Sequence, residues 1–200
     1  MPRYIVRLHL IIPLLAALAP VEAFAEGKVL QRVETYAVRG TTGLELYRSI
    51  GEHGPVLGAS RAIAHTGFRL TWKRDYQQRG AACVLASAIP TLVITTVLPE
   101  AKGRLPQALK RSWDIFLAGV TAHEAVHAGY IRDLARDIEK ATVGLTEPND
   151  PGCRKIRQTM QPILGALSTA ERRKQRDFDK ESFADGGQVH QLILALVNGP

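Results

Sequence analysis

Two histidines and a glutamate stand close together in the segment "TAHEAVHAGY", residues 121–130. His123 and His127 are four positions apart, so on a helix both rings project from the same face. Two imidazole nitrogens at this spacing can bind one zinc ion at about 2.0 to 2.1 Å. Glu124 directly follows the first histidine, where a carboxylate can act as general base without being a ligand. The segment therefore predicts a zinc site with Glu124 as the base.

The spacing of apolar residues predicts that this segment lies on a helix. From residue 105 onward, apolar side chains and the two histidines recur at steps of three and four, which places them on one inward-facing stripe. The stripe consists of Leu109, Trp113, Phe116, Val120, His123, His127, Tyr130, Leu134 and Ile138. A buried polar ring without a partner costs roughly 1 to 3 kcal/mol, and one metal ion would satisfy both rings. A single hydrogen-bonded histidine is common in cores, but two around a glutamate favour metal binding.

A catalytic zinc site needs a third protein ligand and an open position for water. The candidates lie in "FDKESFADGG", residues 178–187, where Glu181 and Asp185 are four positions apart. This spacing resembles the Glu-x-x-x-Asp arrangement of gluzincin metallopeptidases, which implies Glu181 as ligand and Asp185 as the partner of His123. The alternative is that both carboxylates are exposed helix charges. His190 is a weaker candidate ligand.

The remaining patterns predict strands first and helices after them. Residues 68–76, "FRLTWKRDY", alternate apolar and polar side chains, and residues 91–99, "TLVITTVLP", are rich in β-branched residues between two prolines. A short helix is predicted over 43–50. Helical spacing resumes after a break at 143–153, with a kink expected at Pro162. These features indicate one α+β domain with N-terminal antiparallel strands, a long helix that carries the histidines and a second helical region.

The first 25 residues have the three parts of a secretory signal peptide. Arg3 and Arg7 precede an apolar run over residues 8–19, and a small-residue site ends at Ala25. A membrane anchor is the alternative, but the run is well short of the roughly 20 residues that a bilayer span needs. The sequence thus predicts cleavage after Ala25 and a mature domain over 26–200 that is secreted or periplasmic.

The net charge and the two cysteines indicate which partners and which cysteine pairing to expect. The formal net charge of +7 favours anionic surfaces, but no nucleic-acid-binding motif accompanies the basic residues. No second apolar run approaches membrane length, so no stable membrane insertion is expected after signal cleavage. Cys83 and Cys153 both lie in the exported part, where an even pair usually forms a disulfide. Two buried free thiols are the alternative.

Several segments occur in a recognisable order along the chain. They are "YAVRGTTGLELYRSI", "FRLTWK", "CVLASAIPTLVITTVLP" and "SWDIFLAGVTAHEAVH", followed by a downstream cysteine and "FDKES". This order resembles the bacterial DUF922 family of predicted secreted zinc-dependent proteases over residues 36–188. The resemblance implies a zincin-like fold, a bound zinc ion and peptidase activity.

One position departs from that family's C-terminal pattern, Tyr-Asp-x-x-Thr-x-His-Gly. Here "FDKESFAD" matches the tyrosine, aspartate and threonine loosely, while Ala184 stands at the histidine. The third ligand that the resemblance implies is therefore absent. Either Glu181 takes over, or Asp185-Gly186 replaces His-Gly with a shift of one residue.

The leading hypothesis is a zinc-dependent peptidase that acts on peptide or protein substrates. Zinc held by His123, His127 and one of Glu181 and Asp185 would lower the pKa of its bound water toward about 7. Glu124 would take the proton from this water and hand it to the leaving amine.

Two further roles and two rival functions are left open by the sequence. The strand at 91–98 is expected to align an extended peptide by edge pairing. Tyr130 is interpreted as a core aromatic, with donation to an oxyanion as the alternative. The rivals are a non-catalytic exported binding module with a structural or decayed metal site, and metal-dependent hydrolysis of a cell-envelope amide. Composition does not indicate the oligomeric state.

Overall fold

Strands occupy the first half of the chain and long helices the second, which confirms the predicted α+β class. The computed structural model describes residues 27–199, and the predicted signal peptide lies outside this range. The elements in chain order are β1 (Lys28–Val38), α1 (Gly43–His53), β2 (Val56–Leu57), β3 (Ser60–Arg61), β4 (His65–Arg79), β5 (Ala82–Ala101), α2 (Gln107–Thr142), β6 (Thr146–Glu147), α3 (Lys155–Phe183) and α4 (Gln188–Val197). The predicted short helix is α1.

The main sheet has the strand order β1-β5-β4, with β6 beside the start of β5. β4 and β5 pair antiparallel along most of their length, as expected for strands that follow one another closely. β1 runs parallel to β5, which differs from the predicted antiparallel arrangement. The reason is that α1, the β2–β3 hairpin and β4 lie between β1 and β5, and this long connection returns the chain to the end of the sheet where β1 begins.

β5 is longer than predicted because it continues through Pro90 and Pro99, which were expected to bound it. A proline cannot donate to a neighbouring strand and is tolerated where no donor is needed. Pro90 lies between the parts of β5 that pair with β6 and with β1, and Pro99 lies beyond Val97, where the pairing with β4 ends.

β5 is the central strand, so the expectation that residues 91–98 pair with a peptide at an open edge is wrong. β1 pairs with the whole segment on one side, and β4 pairs with it as far as Val97 on the other. The open edges belong to β1 and β4, since no strand within residues 27–199 pairs with the outer side of either.

The helix α2 packs across the sheet and carries the two histidines. Small and aliphatic side chains of α2 and β5 form this contact: Leu92, Ile94, Ala128, Ile131 and Ala135. Every residue of the predicted stripe is buried except Tyr130, which is partly buried. Full burial of aliphatic side chains of this size stabilises by about 1.5 to 3 kcal/mol each, so the apolar positions fix how α2 lies on the sheet. The direction of the histidines follows from that placement.

The helix α3 begins at a point that is fixed to the sheet. Cys83, near the start of β5, forms a disulfide with Cys153, which confirms the predicted pairing. The carboxylate of the buried Asp150 accepts hydrogen bonds from three consecutive backbone N–H groups where α3 begins, at 2.8 to 3.0 Å. These donors have no partner within the helix, so Asp150 satisfies them from outside.

The two C-terminal helices complete the fold around α2. α3 is one helix of 29 residues that includes Pro162, where the sequence predicted a kink. α4 packs so closely on α2 that a Cβ at Gly119 would lie 2.3 Å from a methyl carbon of Leu192. Within residues 27–199, no helix combines the length and the apolar character needed to cross a membrane.

Candidate metal centre

Three side chains from two helices bring their donor atoms together beside the sheet. His123 and His127 of α2 face Asp179 of α3. Oδ1 of Asp179 lies 3.1 Å from Nε2 of His123 and 2.9 Å from Nε2 of His127, and the two Nε2 atoms are 3.0 Å apart. The histidines are buried, whereas the Asp179 side chain is 48% exposed. Two imidazole nitrogens and one carboxylate oxygen therefore form a small triangle that solvent can reach.

This triangle has the composition and nearly the size of a zinc site. Ligand distances of about 2.0 to 2.2 Å at a tetrahedral angle place neighbouring donor atoms about 3.3 Å apart. The separations of 2.9 to 3.1 Å are only slightly smaller, so small outward movements of the three side chains would admit the ion. Three protein ligands leave a fourth position open, which is typical of catalytic zinc rather than of structural zinc. The residues present fit the metal.

His127 is oriented by two polar side chains of α3. Its Nδ1 is hydrogen-bonded to Oε1 of Gln175, and Nε2 of Gln175 donates to Oε1 of Glu171 at 2.5 Å. Glu171, Gln175 and Asp179 follow one another at four-residue intervals, so one face of α3 supplies both the support and the carboxylate. A ligand histidine that donates its second ring nitrogen to a fixed acceptor presents its other nitrogen to the metal. Gln175 and Glu171 thus direct Nε2 of His127 into the site.

His123 is held mainly by aromatic packing. The ring of Phe178 stacks on it, with centroids 4.6 Å apart and planes 18° apart, and Phe183 approaches its ring at 5.8 Å. Tyr130 packs edge-on against Phe178 at 6.1 Å. Nδ1 of His123 is buried and has no hydrogen-bond partner among residues 27–199. The predicted support of His123 by Asp185 is therefore not formed in this structure.

The charges of the cluster favour a cation at its centre. Burial raises the pKa of Asp179, but the hydrogen bonds with His123 and His127 outweigh this effect and hold its pKa well below the usual range. Burial lowers the pKa of His127, but the hydrogen bonds to Asp179 and Gln175 raise it above its ordinary value. Asp179 therefore keeps its negative charge at neutral pH, and this charge lies beside both histidine nitrogens, where a divalent metal ion would bind.

Glu124 is buried at the same place, with only 5% of its surface exposed. Its Oε2 has no hydrogen-bond partner among the residues that the structure describes. A buried oxygen in this condition costs roughly 1 to 3 kcal/mol, and a polar group that enters the site would satisfy it. The main-chain oxygen of Glu124 accepts a hydrogen bond from Oγ1 of Thr66 at 3.4 Å, which ties the start of β4 to the motif.

An open cleft of about 740 Å³ gives access to these groups. His123, Glu124 and His127 lie on one wall, together with Asp179 from α3. Residues 61–68, which include the end of β3 and the beginning of β4, also line the cleft. The cleft therefore joins the candidate metal ligands, the candidate base and the beginning of the edge strand β4.

Comparison with protein families assigns the chain to one of them. The model of DUF922, described as a bacterial protein of unknown function, matches residues 33–187. This chain belongs to the DUF922 family. The match begins in β1 and ends just before α4, so it includes both helices of the metal centre. No curated protein and no solved structure matches the chain significantly.

In this DUF922 protein, the histidines and the glutamate of α2 meet in one cleft, but the two predicted third ligands do not join them. Glu181 and Asp185 are exposed, and neither belongs to the group around the histidines. Glu181 follows Asp179 by two residues, which turns it about 200° around the helix, and Asp185 lies after the end of α3. His190 is also outside the group, and its Nδ1 accepts a hydrogen bond from the N–H of Gly186 at 3.1 Å.

Three residues of the candidate metal centre were missed by the sequence-based prediction: Glu171, Gln175 and Asp179. One signal for them was their four-residue spacing on a helix that was already predicted. A second was the Phe178-Asp179 pair, which matches the Tyr-Asp of the family pattern described above. In the structure Phe178 packs on His123 and the adjacent aspartate meets both histidines, so the two residues act at the same centre.

Proposed function

We propose that this DUF922 protein is an exported zinc-dependent peptidase, with His123, His127 and Asp179 as the metal ligands. The observation that carries the proposal is the convergence of these three donors with the unpartnered carboxylate oxygen of Glu124 in one open cleft. A structural zinc site would be closed by a fourth protein ligand, and the group within residues 27–199 has three.

The roles of the chain's own residues follow from this geometry. A zinc ion bound there would supply a Lewis acid for the scissile carbonyl and lower the pKa of water. Glu124 would accept the proton of the attacking water at Oε2 and deliver it to the leaving amine. Gln175 would keep the ring of His127 in its ligating orientation.

The open edge of β4 supports a peptide as the substrate. Residues 65–68 of β4 line the cleft beside the metal ligands. An extended peptide can add to such an edge through main-chain hydrogen bonds, which hold it in a fixed register with little dependence on its sequence. The hydrogen bond between Thr66 and the main chain of Glu124 keeps this edge close to the base. A peptide paired here would pass the candidate metal position.

Substitution of the base tests the proposal directly. Glu124→Gln removes the proton acceptor and leaves the three ligands intact, so zinc binding should remain while hydrolysis of peptide pools falls by at least about a hundredfold, within the usual range for general-base catalysis. Glu139→Gln, on the same helix and outside the cleft, is the matched control and should hydrolyse peptides like the wild type.

Each outcome separates the proposed function from its rivals. Full activity of Glu124→Gln would contradict the assigned mechanism. Zinc binding without hydrolysis of either peptides or cell-wall material would favour the non-catalytic binding module. Release of soluble fragments from cell walls, with peptides left intact, would favour an envelope amidase.

A further inference from the structure

The cleft carries positive charge beyond the metal centre. Three arginines line it: Arg61 on β3 and Arg172 and Arg176 on α3. The carboxylates that line the cleft all belong to the metal centre or its support, and they are Glu124, Glu171 and Asp179. Away from the metal ligands, the charged groups of the wall are therefore cationic.

None of these arginines is neutralised by a carboxylate. Arg61 donates to the main-chain oxygen of Gly54 at 2.6 Å, and Arg172 donates to Oγ1 of Thr169 at 3.1 Å. Across residues 27–199, no ion pair within 4.0 Å involves any of the three. A guanidinium has five N–H donors, so most of the donors on each arginine are available to a ligand in the cleft.

The two arginines on α3 lie on one side of the helix. Arg172 and Arg176 are four residues apart, a spacing at which like charges repel. Each follows by one residue a member of the row that supports His127, namely Glu171 and Gln175. The cationic row therefore runs alongside the metal-supporting row on the same helix and faces the same cleft.

We propose that Arg61, Arg172 and Arg176 select substrates that carry a carboxylate close to the bond to be cleaved. The inference rests on the proposed peptidase function and adds the substrate class. Guanidinium groups bind carboxylates through paired, charge-assisted hydrogen bonds, which gives both affinity and orientation. The carboxylate has two possible sources in a peptide, an acidic side chain or the free C-terminus.

The test measures binding and hydrolysis separately in the full chain. Peptide pools with one fixed glutamate or one fixed glutamine, each with a free or an amidated C-terminus, are offered to the wild type for hydrolysis. The same pools, labelled with a fluorophore, are offered to the Glu124→Gln protein for binding by anisotropy. Arg172→Gln and Arg176→Gln are each combined with both backgrounds. Arg173→Gln, which removes an exposed arginine of α3 outside the cleft, is the charge-matched control.

The expected result is a preference of about tenfold or more for the carboxylate-bearing pools, in line with a hydrogen bond between charged groups. The ratio between pools with and without the carboxylate should fall toward one in Arg172→Gln and Arg176→Gln. It should keep its wild-type value in Arg173→Gln. If amidation alone abolishes it, the arginines recognise the C-terminus; if the glutamate-to-glutamine change alone abolishes it, they recognise a side chain.

The outcomes distinguish this inference from the peptidase assignment. Hydrolysis of all pools at equal rates would overturn the carboxylate selection and leave the peptidase standing. Binding that prefers carboxylates through Arg172 and Arg176, without any hydrolysis by the wild type, would support the selection and contradict the peptidase. Equal losses in Arg172→Gln, Arg176→Gln and Arg173→Gln would reduce the effect to general electrostatic attraction and overturn the proposal.

Discussion

Replacement of Asp179 gives the sharpest test of the metal centre. Its Oδ1 lies within 3.1 Å of both histidine nitrogens, and it is the one carboxylate of the metal-capable group within residues 27–199. Asp179→Ala would leave two ligands. Changes at residues that merely orient a ligand lower metal affinity about 10- to 100-fold, so loss of a direct ligand should exceed about 100-fold, or about 2.7 kcal/mol. Glu181→Ala, two residues away on the exposed side of α3, should bind zinc like the wild type.

The loss of zinc affinity in Asp179→Ala can be measured by thermal unfolding with and without zinc. At a free zinc concentration of 100 times the wild-type Kd, binding stabilises the wild type by about 2.7 kcal/mol. A variant that binds 100-fold more weakly gains only about 0.4 kcal/mol under the same conditions. Competition with a chromophoric chelator gives the two Kd values independently. Retained zinc affinity in Asp179→Ala, together with its loss in Glu181→Ala, would refute the structural assignment and restore the sequence-based one.

Two further predictions concern residues that support the centre. Gln175→Ala removes the acceptor for Nδ1 of His127, so the zinc affinity should fall about 10- to 100-fold. Gln161→Ala, on the exposed part of α3, should change the zinc affinity little. Equal affinities of the two variants would show that the contact with Gln175 does not orient the ring of His127. Burial raises the pKa of Asp150, but three backbone N–H groups outweigh it and hold the pKa below its ordinary value of 3.8. Because the unfolded chain then binds more protons, the stabilisation should be complete above about pH 5 and be lost as the pH falls through the folded pKa. The difference in unfolding temperature between wild type and Asp150→Ala should therefore shrink in acid, and a constant difference across the pH range would contradict this account.

The long helix and its histidines could be predicted because the information is local. Nine stripe positions recur at steps of three and four over α2, and eight of them are buried in the structure. The third candidate ligand could not be predicted in the same way. On α3, a choice between a step of three and a step of four turns the next residue by about 100°, and errors add along the helix. Continuing from Phe178 by three residues leads to Glu181, while the inward face passes through Asp179 and Ser182.

The pairing of the strands could not be fully predicted from neighbouring residues either, because part of it joins segments that are far apart in the chain. Pro90 and Pro99 are ordinary strand boundaries when only neighbouring residues are considered. In the sheet each proline falls where one side of β5 lacks a paired neighbour, a circumstance set by where β1, β4 and β6 end. The parallel pairing of β1 with β5 joins residues more than 60 positions apart, such as Lys28 and Thr91, and no short pattern specifies it.

The helix α3 connects the disulfide to the candidate metal centre. Its start is pinned to the sheet by the Cys83–Cys153 disulfide and by Asp150, whereas Asp179 lies 24 residues further on, a distance of about 36 Å along the axis. A rotation of about 2° at the pinned end would move the carboxylate by about 1.3 Å, and a displacement of about 1 Å can cost a hundredfold in rate. Formation of this distant disulfide would then affect how closely the three donor atoms approach one another.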